Sequence, residues 1–432
     1  MKPDSNTKLS RREFVRKSAA ASTAFGSFSI VPRHVLGGPG KTPPSEVITR
    51  AVIGTGGMGR NHIRTNRQGE PPQTLAVCDV DDKHLTQALK KGGAGCKGYK
   101  DWREVIDRDD IDVVHIGTPP HWHALLSIAA CQAGKDVFCE KPMTRFIGEG
   151  WSVIEAVRRY GRIFSINNYG RGGFEKYKKL VDSRLLGEPV TVRLNPKTGY
   201  PFKVKTWSGR TNVPPEKVPS QLDYDMWLGP APVKPYFAHR VHRSFRGYWD
   251  YDGGGLSDMG QHWIDPIQYL LGKDETGPSE IEAYAPWPAH PDACGIWGRV
   301  TMKYADGSTI ILESHEWGDI DREKKPFIEG PLGAVWHKNG RQTEPKDLWD
   351  RLKAFPDPPK LISWDEALKK RIDPTRRPQV EFAHRSISLI HLANIAIRIG
   401  RKLNWDPAKE QFVGDEEANR LVNVPMRAPW HL

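Results

Sequence analysis

The sequence predicts an α/β protein: a doubly wound parallel domain first, then an α+β domain on an open, mainly antiparallel sheet. Three observations predict it. From Val47 onward short apolar runs alternate with helical stretches, the pattern of a sheet covered on both faces. The first of these runs leads straight into a glycine cluster, Gly54-Thr55-Gly56-Gly57-Met58-Gly59. After about Gly170 the pattern changes to strand-like alternation separated by long Pro/Gly/aromatic loops.

Taken in order, Ala51-Val52-Ile53 is the first strand, and the glycine cluster turns the chain into a helix expected over Met58 to Arg67. The run Thr74 to Cys78 is the second strand and stops at Asp79, twenty positions beyond Gly59. Strand, glycine turn, helix, strand and acid at that spacing form a dinucleotide-binding fingerprint. Gly54 permits the tight turn, Gly56 lets backbone approach a pyrophosphate, and Gly59 lets helix pack on strand. Gly57 and Met58 complete the loop, and the phosphates are expected on the helix N-terminus. Asp79 can accept hydrogen bonds from ribose hydroxyls and would repel a 2′-phosphate, so the expected cofactor is NAD rather than NADP.

Further on, Asp112 to Gly117 is a buried strand leading into Thr118-Pro119-Pro120, followed by a helix over about His121 to Ala133. Lys135 to Cys139 is the next strand and ends at Glu140-Lys141-Pro142. A helix over about Gly148 to Tyr160 and a strand over Ile163 to Ile166 close the sheet, and ligands bind beyond such strand ends. In the second half, strands are expected at Val190 to Leu194, Glu280 to Ala285, Gly298 to Tyr304 and Ser308 to Glu313, with a long helix over Val380 to about Arg401. The expected organisation is an export signal and linker over 1–45, a dinucleotide-binding domain over 46–169 and a substrate and oligomerisation domain over 170–432.

Composition excludes several classes. The net charge of +12 suggests nucleic acid, yet half of the excess lies in residues 1–45, with eight Lys/Arg against two acids. The remainder is dispersed, with no basic block and no nucleic-acid motif. Five cysteines form no CxxC pair and no metal spacing, so neither a disulfide framework nor a metal site is expected. His121-Trp122-His123 lacks a third ligand at any diagnostic spacing. Ser10-Arg11-Arg12-Glu13-Phe14, with the mildly apolar stretch Ala19 to Val31 behind it, resembles a twin-arginine translocation signal. That stretch is too short and polar to span a membrane. The expected location is the periplasm, with the cofactor loaded before export of the folded protein.

Three elements converge on chemistry: Glu140-Lys141-Pro142, Thr118-Pro119 with His123, and the stretch Gly253-Gly254-Gly255 … Asp258 … His262 … Asp265. Asp258 and His262 are at i and i+4, on one face of a helix opened by the glycines. A carboxylate there can fix the imidazole tautomer, leaving a base or acid with a pKa near its ordinary value of about 6.5. Lys141 can stabilise an alkoxide developing on a carbinol.

With the glycine turn, these elements resemble the glucose-fructose oxidoreductase / inositol dehydrogenase / rhizopine-catabolism (Gfo/Idh/MocA) family. The closing Ala418-Asn419-Arg420 and Pro425-Met426-Arg427-Ala428-Pro429-Trp430 resemble its exported bacterial members. The resemblance implies catalytic roles for Lys141, Asp258 and His262, with the proton acceptor open between Lys141 and His262. It places Thr118, Pro119, His123, Glu140 and Lys141 at the cofactor, and Asn168, Tyr169 and Arg171, which follow the sixth strand, at the nicotinamide and substrate. His242, in the loop before the glycine run, could reach the substrate. Asp265 could bind a sugar hydroxyl or pair with a cation.

Twelve of the fifteen tryptophans follow Gly170, and aromatic faces suit sugar rings. The expected activity is NAD-dependent oxidation of a secondary hydroxyl of a sugar, glycoside or polyol, or the reverse, by a homo-oligomer with retained cofactor. The alternatives are a redox-neutral glycoside hydrolase or lyase and a non-catalytic dinucleotide-binding protein. Lys141 favours the dehydrogenase, whereas Tyr169-Gly170-Arg171 is similar to the hydrolase branch.

Overall fold

The computed structural model describes residues 47–64, 73–318 and 323–432, so the twin-arginine motif lies outside the described residues. Six strands, β1 (Arg50–Ile53), β2 (Thr74–Cys78), β3 (Lys97–Tyr99), β4 (Val113–Ile116), β5 (Asp136–Glu140) and β6 (Phe164–Asn167), form one sheet. Its order is β3-β2-β1-β4-β5-β6 and every neighbouring pair is parallel. Every residue of β1, β4 and β5 is buried, which is why these strands are apolar at most positions with no in/out alternation. The strand order reverses between β1 and β4, and the crevice beyond that switch point is where such sheets bind ligands.

The connecting helices include α1 (Asp82–Gly92), α2 (His123–Gln132) and α3 (Ile147–Tyr160). Asp81 caps α1 by accepting from the Lys83 and His84 N–H groups. The helix expected over Met58 to Arg67 is instead a single 3-10 turn, Gly59–His62, with Ile63 already extended. The turn has no side-chain N-cap, and its Gly and Asn are poor helix formers. The last part of that expectation, 65–67, lies outside the described residues.

Nine further strands form the second sheet: β7 (Thr191–Leu194), β8 (Glu280–Tyr284), β9 (Arg299–Lys303), β10 (Thr309–Glu313), β11 (Ile328–Gly330), β12 (Gly333–Val335), β13 (Thr343–Glu344), β14 (Leu403–Asp406) and β15 (Gln411–Phe412). Their order is β13-β12-β11-β7-β10-β9-β8-β14-β15, antiparallel except for the β7/β10 pair. Three helices matter for the site: α4 (Gly254–Leu271), α5 (Trp364–Lys370) and α6 (Val380–Ile399). Helices α4 and α6 lock together through Asn394 donating to Ser257 and Gln261 donating to the Ala383 carbonyl and Ser386. Gln261 also accepts from the Met143 N–H, which ties α4 to the loop beyond β5. Helix α5 returns to the first sheet, where Trp364, Ala367 and Leu368 pack on Val113, Phe138 and Ile163. Among the described residues no helix is long and apolar enough to cross a membrane.

Candidate active site

The carboxyl ends of the parallel strands and the start of α4 enclose a cleft of about 910 Å³. Its floor is the glycine turn. Gly54 has φ +81° and a Cβ there would stand 2.4 Å from the Thr118 nitrogen, while one on Gly59 would stand 1.8 Å from the Gly54 carbonyl. Only glycine lets these three backbone segments close on one another. A Cβ on Gly57 would meet nothing within 4 Å, so that backbone faces open space. Gly56, Gly57 and the half-exposed Met58 line the cleft.

Asp79 ends β2 at one extremity. Its carboxylate accepts from the Thr55 N–H (2.7 Å) and hydroxyl (3.1 Å) and from the Asp81 N–H (2.9 Å). His84 stands 3.6 Å away, and the bond to Asp79 raises the His84 pKa. Thr118 and Pro119 line the middle, where the buried Thr118 hydroxyl has no partner within the protein. His123 does not line the cleft. It is fully buried and bridges the Pro142 carbonyl (2.7 Å) and the Thr118 carbonyl (2.8 Å), so it orders the two loops rather than touching the cofactor. Glu140 lies on the cleft wall but is bonded to His62 (2.7 Å) and Asn167 (2.9 Å). Burial pushes its pKa up, yet those bonds and Lys141 outweigh burial and leave it below the ordinary value.

Lys141 ends the same strand and donates to both the carbonyl and the carboxylate of Asp258, the latter at 2.9 Å. Arg246 reaches the same carboxylate oxygen at 2.6 Å. Against the cost of burial, these two cations hold Asp258 well below the usual carboxylate range. The expected Asp258–His262 bond is therefore not formed. Both side chains lie on one stretch of α4, but two cations outcompete a neutral imidazole for the carboxylate. His262 Nδ1 has no partner, and its ring stacks flat on Tyr169, with centroids 3.8 Å apart and 8° between planes. Burial, reinforced by Lys141, pushes the His262 pKa down to about 3, so the ring is neutral at physiological pH rather than poised near 6.5.

Three expected substrate contacts are committed elsewhere. Arg171 is buried and pairs with Asp265 (2.7 Å) and Asp274 (2.7 Å), and its guanidinium lies 5.3 Å from the centroids of both the Tyr269 and Phe382 rings. Asp265 is fully buried and also accepts from Asn168 (2.9 Å), whose amide oxygen takes the Gly170 N–H. A buried carboxylate needs a charged partner, and Arg171 is the one within reach. This network supports the loop from which Tyr169, 63% exposed, projects over His262. His242 also differs from expectation. It stands 3.4 Å from Asp81 with its ring on His84, which puts it at the Asp79 end rather than beside Lys141.

Sequence reasoning missed Arg246, Asp252, His84 and Trp207, all of which line the cleft. Arg246 sits in a 3-10 segment, His242–Gly247, that runs from the Asp81 end to Asp258. Its one signal was the basic character of that loop. The glycine backbone open to the cleft, the partnerless Thr118 hydroxyl and the acid at Asp79 together fit a dinucleotide.

Comparison with known proteins agrees. Residues 48–168 match the model of the oxidoreductase family's NAD-binding Rossmann fold, and residues 173–432 that of its C-terminal alpha/beta domain. The chain is 23% identical over 320 residues to inositol 2-dehydrogenase of Salmonella typhimurium, covering 73% of this chain and 88% of that one. It is 29% identical over 187 residues to a glycosyl hydrolase family 109 protein of Shewanella pealeana, covering 38% and 41%. Among solved structures, the WlbA dehydrogenase of Bordetella pertussis, in complex with NADH and UDP-GlcNAcA, shares the fold with a TM-score of 0.56 at 17% identity, over 83% of this chain and 99% of that one. With both family models matched across nearly the whole of 48–432, the chain belongs to the Gfo/Idh/MocA oxidoreductase family.

Proposed function

We propose that this protein is an NAD-dependent dehydrogenase acting on a secondary hydroxyl of a sugar, glycoside or polyol, or on the corresponding ketone. The observation that carries the reading is the meeting of Lys141, Asp258 and His262 in the same cleft as the glycine turn. Gly56, Gly57, Asp79 and Thr118 would hold NAD, which supplies the hydride acceptor when bound. Lys141 Nζ, oriented by Asp258, puts positive charge where an alkoxide develops. His262 faces the same cleft with Nδ1 unpartnered, and Lys141 and His262 are the two candidates for the hydroxyl proton. Tyr169, stacked over His262 and exposed, offers an aromatic face to the sugar ring. The likeness to an inositol dehydrogenase supports a polyol or sugar substrate.

A redox-neutral glycoside cleavage is the second reading, favoured by the match to the Shewanella glycosyl hydrolase. The twin-arginine motif supports export of the folded protein to the periplasm with NAD already bound, in the exported branch of the family. The open second sheet supports a homo-oligomer, and the boundary between the two working halves is placed at 169/170.

The test denatures purified, never-supplemented protein, identifies released nucleotide by mass, and follows a sugar panel by product mass. Bound NAD(H) with a product two hydrogens lighter supports the dehydrogenase. Release of an aglycone without net NADH supports the second reading. No turnover of any sugar by NAD-loaded protein refutes both.

A further inference from the structure

The substrate end of the cleft holds more positive charge than its neighbours neutralise. Lys141, Lys203, Arg243, Arg246 and Arg377 line it, against the carboxylates of Glu140, Asp252 and Asp258. Asp258 is shared by Lys141 and Arg246. Asp252 is buried and accepts from the Gly253 N–H at 2.8 Å. Burial pushes its pKa up to about 6, which makes it the more weakly held of the two charges. Lys203 and Arg243 make no ion pair among the described residues.

The placement of Lys203 is costly for the fold. Lys203 adopts φ +55°, in the left-handed region that a lysine occupies only against a steric cost. Its backbone passes the first turn of α4, where a Cβ on Gly255 would meet the Lys203 carbonyl at 2.8 Å, three residues before Asp258. Arg243 and Arg246 both lie over the Trp207 ring, at 5.0 and 4.9 Å from its centroid. Two guanidiniums thus lie against one aromatic ring, and one of them, Arg246, shares the Asp258 carboxylate with Lys141. The pyrophosphate of a dinucleotide does not account for this group. The glycine turn lies at the end of β1, whereas Lys203, Arg243 and Arg246 all follow Gly170, and Arg246 touches Asp258 directly.

We propose that the sugar substrate carries an oxyanion substituent, a uronate carboxylate or a sulfate ester, held by Arg243 and Lys203 beside Lys141. A planar guanidinium already braced on an aromatic ring suits bidentate capture of such a group. The proposal rests on the dehydrogenase reading above.

The test compares methyl β-D-glucuronoside, glucose 6-sulfate and methyl β-D-glucoside on the NAD-loaded protein, by keto-product formation. At least one anionic sugar should exceed the neutral one in kcat/KM by about tenfold or more, the scale of one charge-assisted hydrogen bond. Whichever anion leads assigns carboxylate or sulfate. In R243M and K203M the ratio of anionic to neutral kcat/KM should fall by about tenfold, through KM, with bound NAD at the wild-type level. Equal turnover of neutral and anionic sugars overturns the proposal and leaves the dehydrogenase intact. So does loss of NAD in R243M with the selectivity ratio unmoved. No oxidation of any sugar overturns the dehydrogenase reading and the charge assignment with it.

Discussion

Replacing Asp258 by Asn keeps the side chain's shape and removes one charge from between two others. Lys141 Nζ and Arg246 Nε lie 2.9 and 2.6 Å from the same oxygen, so the nitrogens are within about 5.5 Å of each other. All three side chains are largely buried. In D258N two cations face each other with no negative charge between them, and at an effective dielectric of about 20 their repulsion is about 3 kcal/mol. Urea unfolding of wild type, D258N and D258N/R246M at pH 7 measures it. D258N should lose about 3 kcal/mol, and the double variant should regain most of that loss. If D258N falls within about 0.5 kcal/mol of wild type, or the double variant is no more stable than D258N, the shared-carboxylate account is wrong.

Four further perturbations follow from the same structure. In D265N the buried Arg171 keeps only Asp274 as a charged partner, so stability should fall by about 3–5 kcal/mol with KM for sugar moved less than about twofold; a large KM rise at unchanged melting temperature would restore Asp265 to the substrate. G59A must displace backbone, since its Cβ would stand 1.8 Å from the Gly54 carbonyl, and should lower both melting temperature and bound NAD. G57A places its methyl in open cleft and should keep the apo melting temperature while titration calorimetry shows weaker NAD binding; identical behaviour of the two variants would contradict the loop geometry. His262, with a folded pKa of about 3, stays neutral while the unfolded chain takes a proton below its ordinary pKa, so its share of stability is lost as pH falls from about 6.5 towards 3. Between pH 8 and pH 5 wild type should therefore lose about 2 kcal/mol more than H262Q, and equal losses would show that the ring is not desolvated.

Features encoded over a few consecutive residues were legible in the sequence. The glycine turn, the acid ending β2, the strand ends at Thr118 and Lys141 and the long helix Val380–Ile399 all rest on local patterns of spacing or apolar run. What was not legible is partner choice. The i, i+4 spacing of Asp258 and His262 is real, but Lys141 and Arg246 arrive from 117 and 12 residues away and take the carboxylate. Arg171 looked like a substrate contact because it follows a strand end, and nothing local shows that Asp265 and Asp274 meet it in the core. The helix after the glycine turn failed for a nearer reason: Gly-Arg-Asn-His with no side-chain cap sustains one 3-10 turn and no more.

Helix α5 sets a limit on dissecting this molecule. Trp364 and Leu368 are laid across Val113, Phe138 and Ile163 of the first sheet, with the Trp364 and Phe138 rings 5.0 Å apart. A fragment ending near Gly170 would uncover those three apolar side chains, each costing roughly 1.5–3 kcal/mol when returned to water. That is a large part of the stability of an ordinary small domain. The nucleotide module is therefore not a cassette to be cut out and grafted elsewhere. Its lid is encoded two hundred residues downstream of the surface it covers, and a chain interrupted before Trp364 presents a sticky, half-clothed sheet to whatever it meets first.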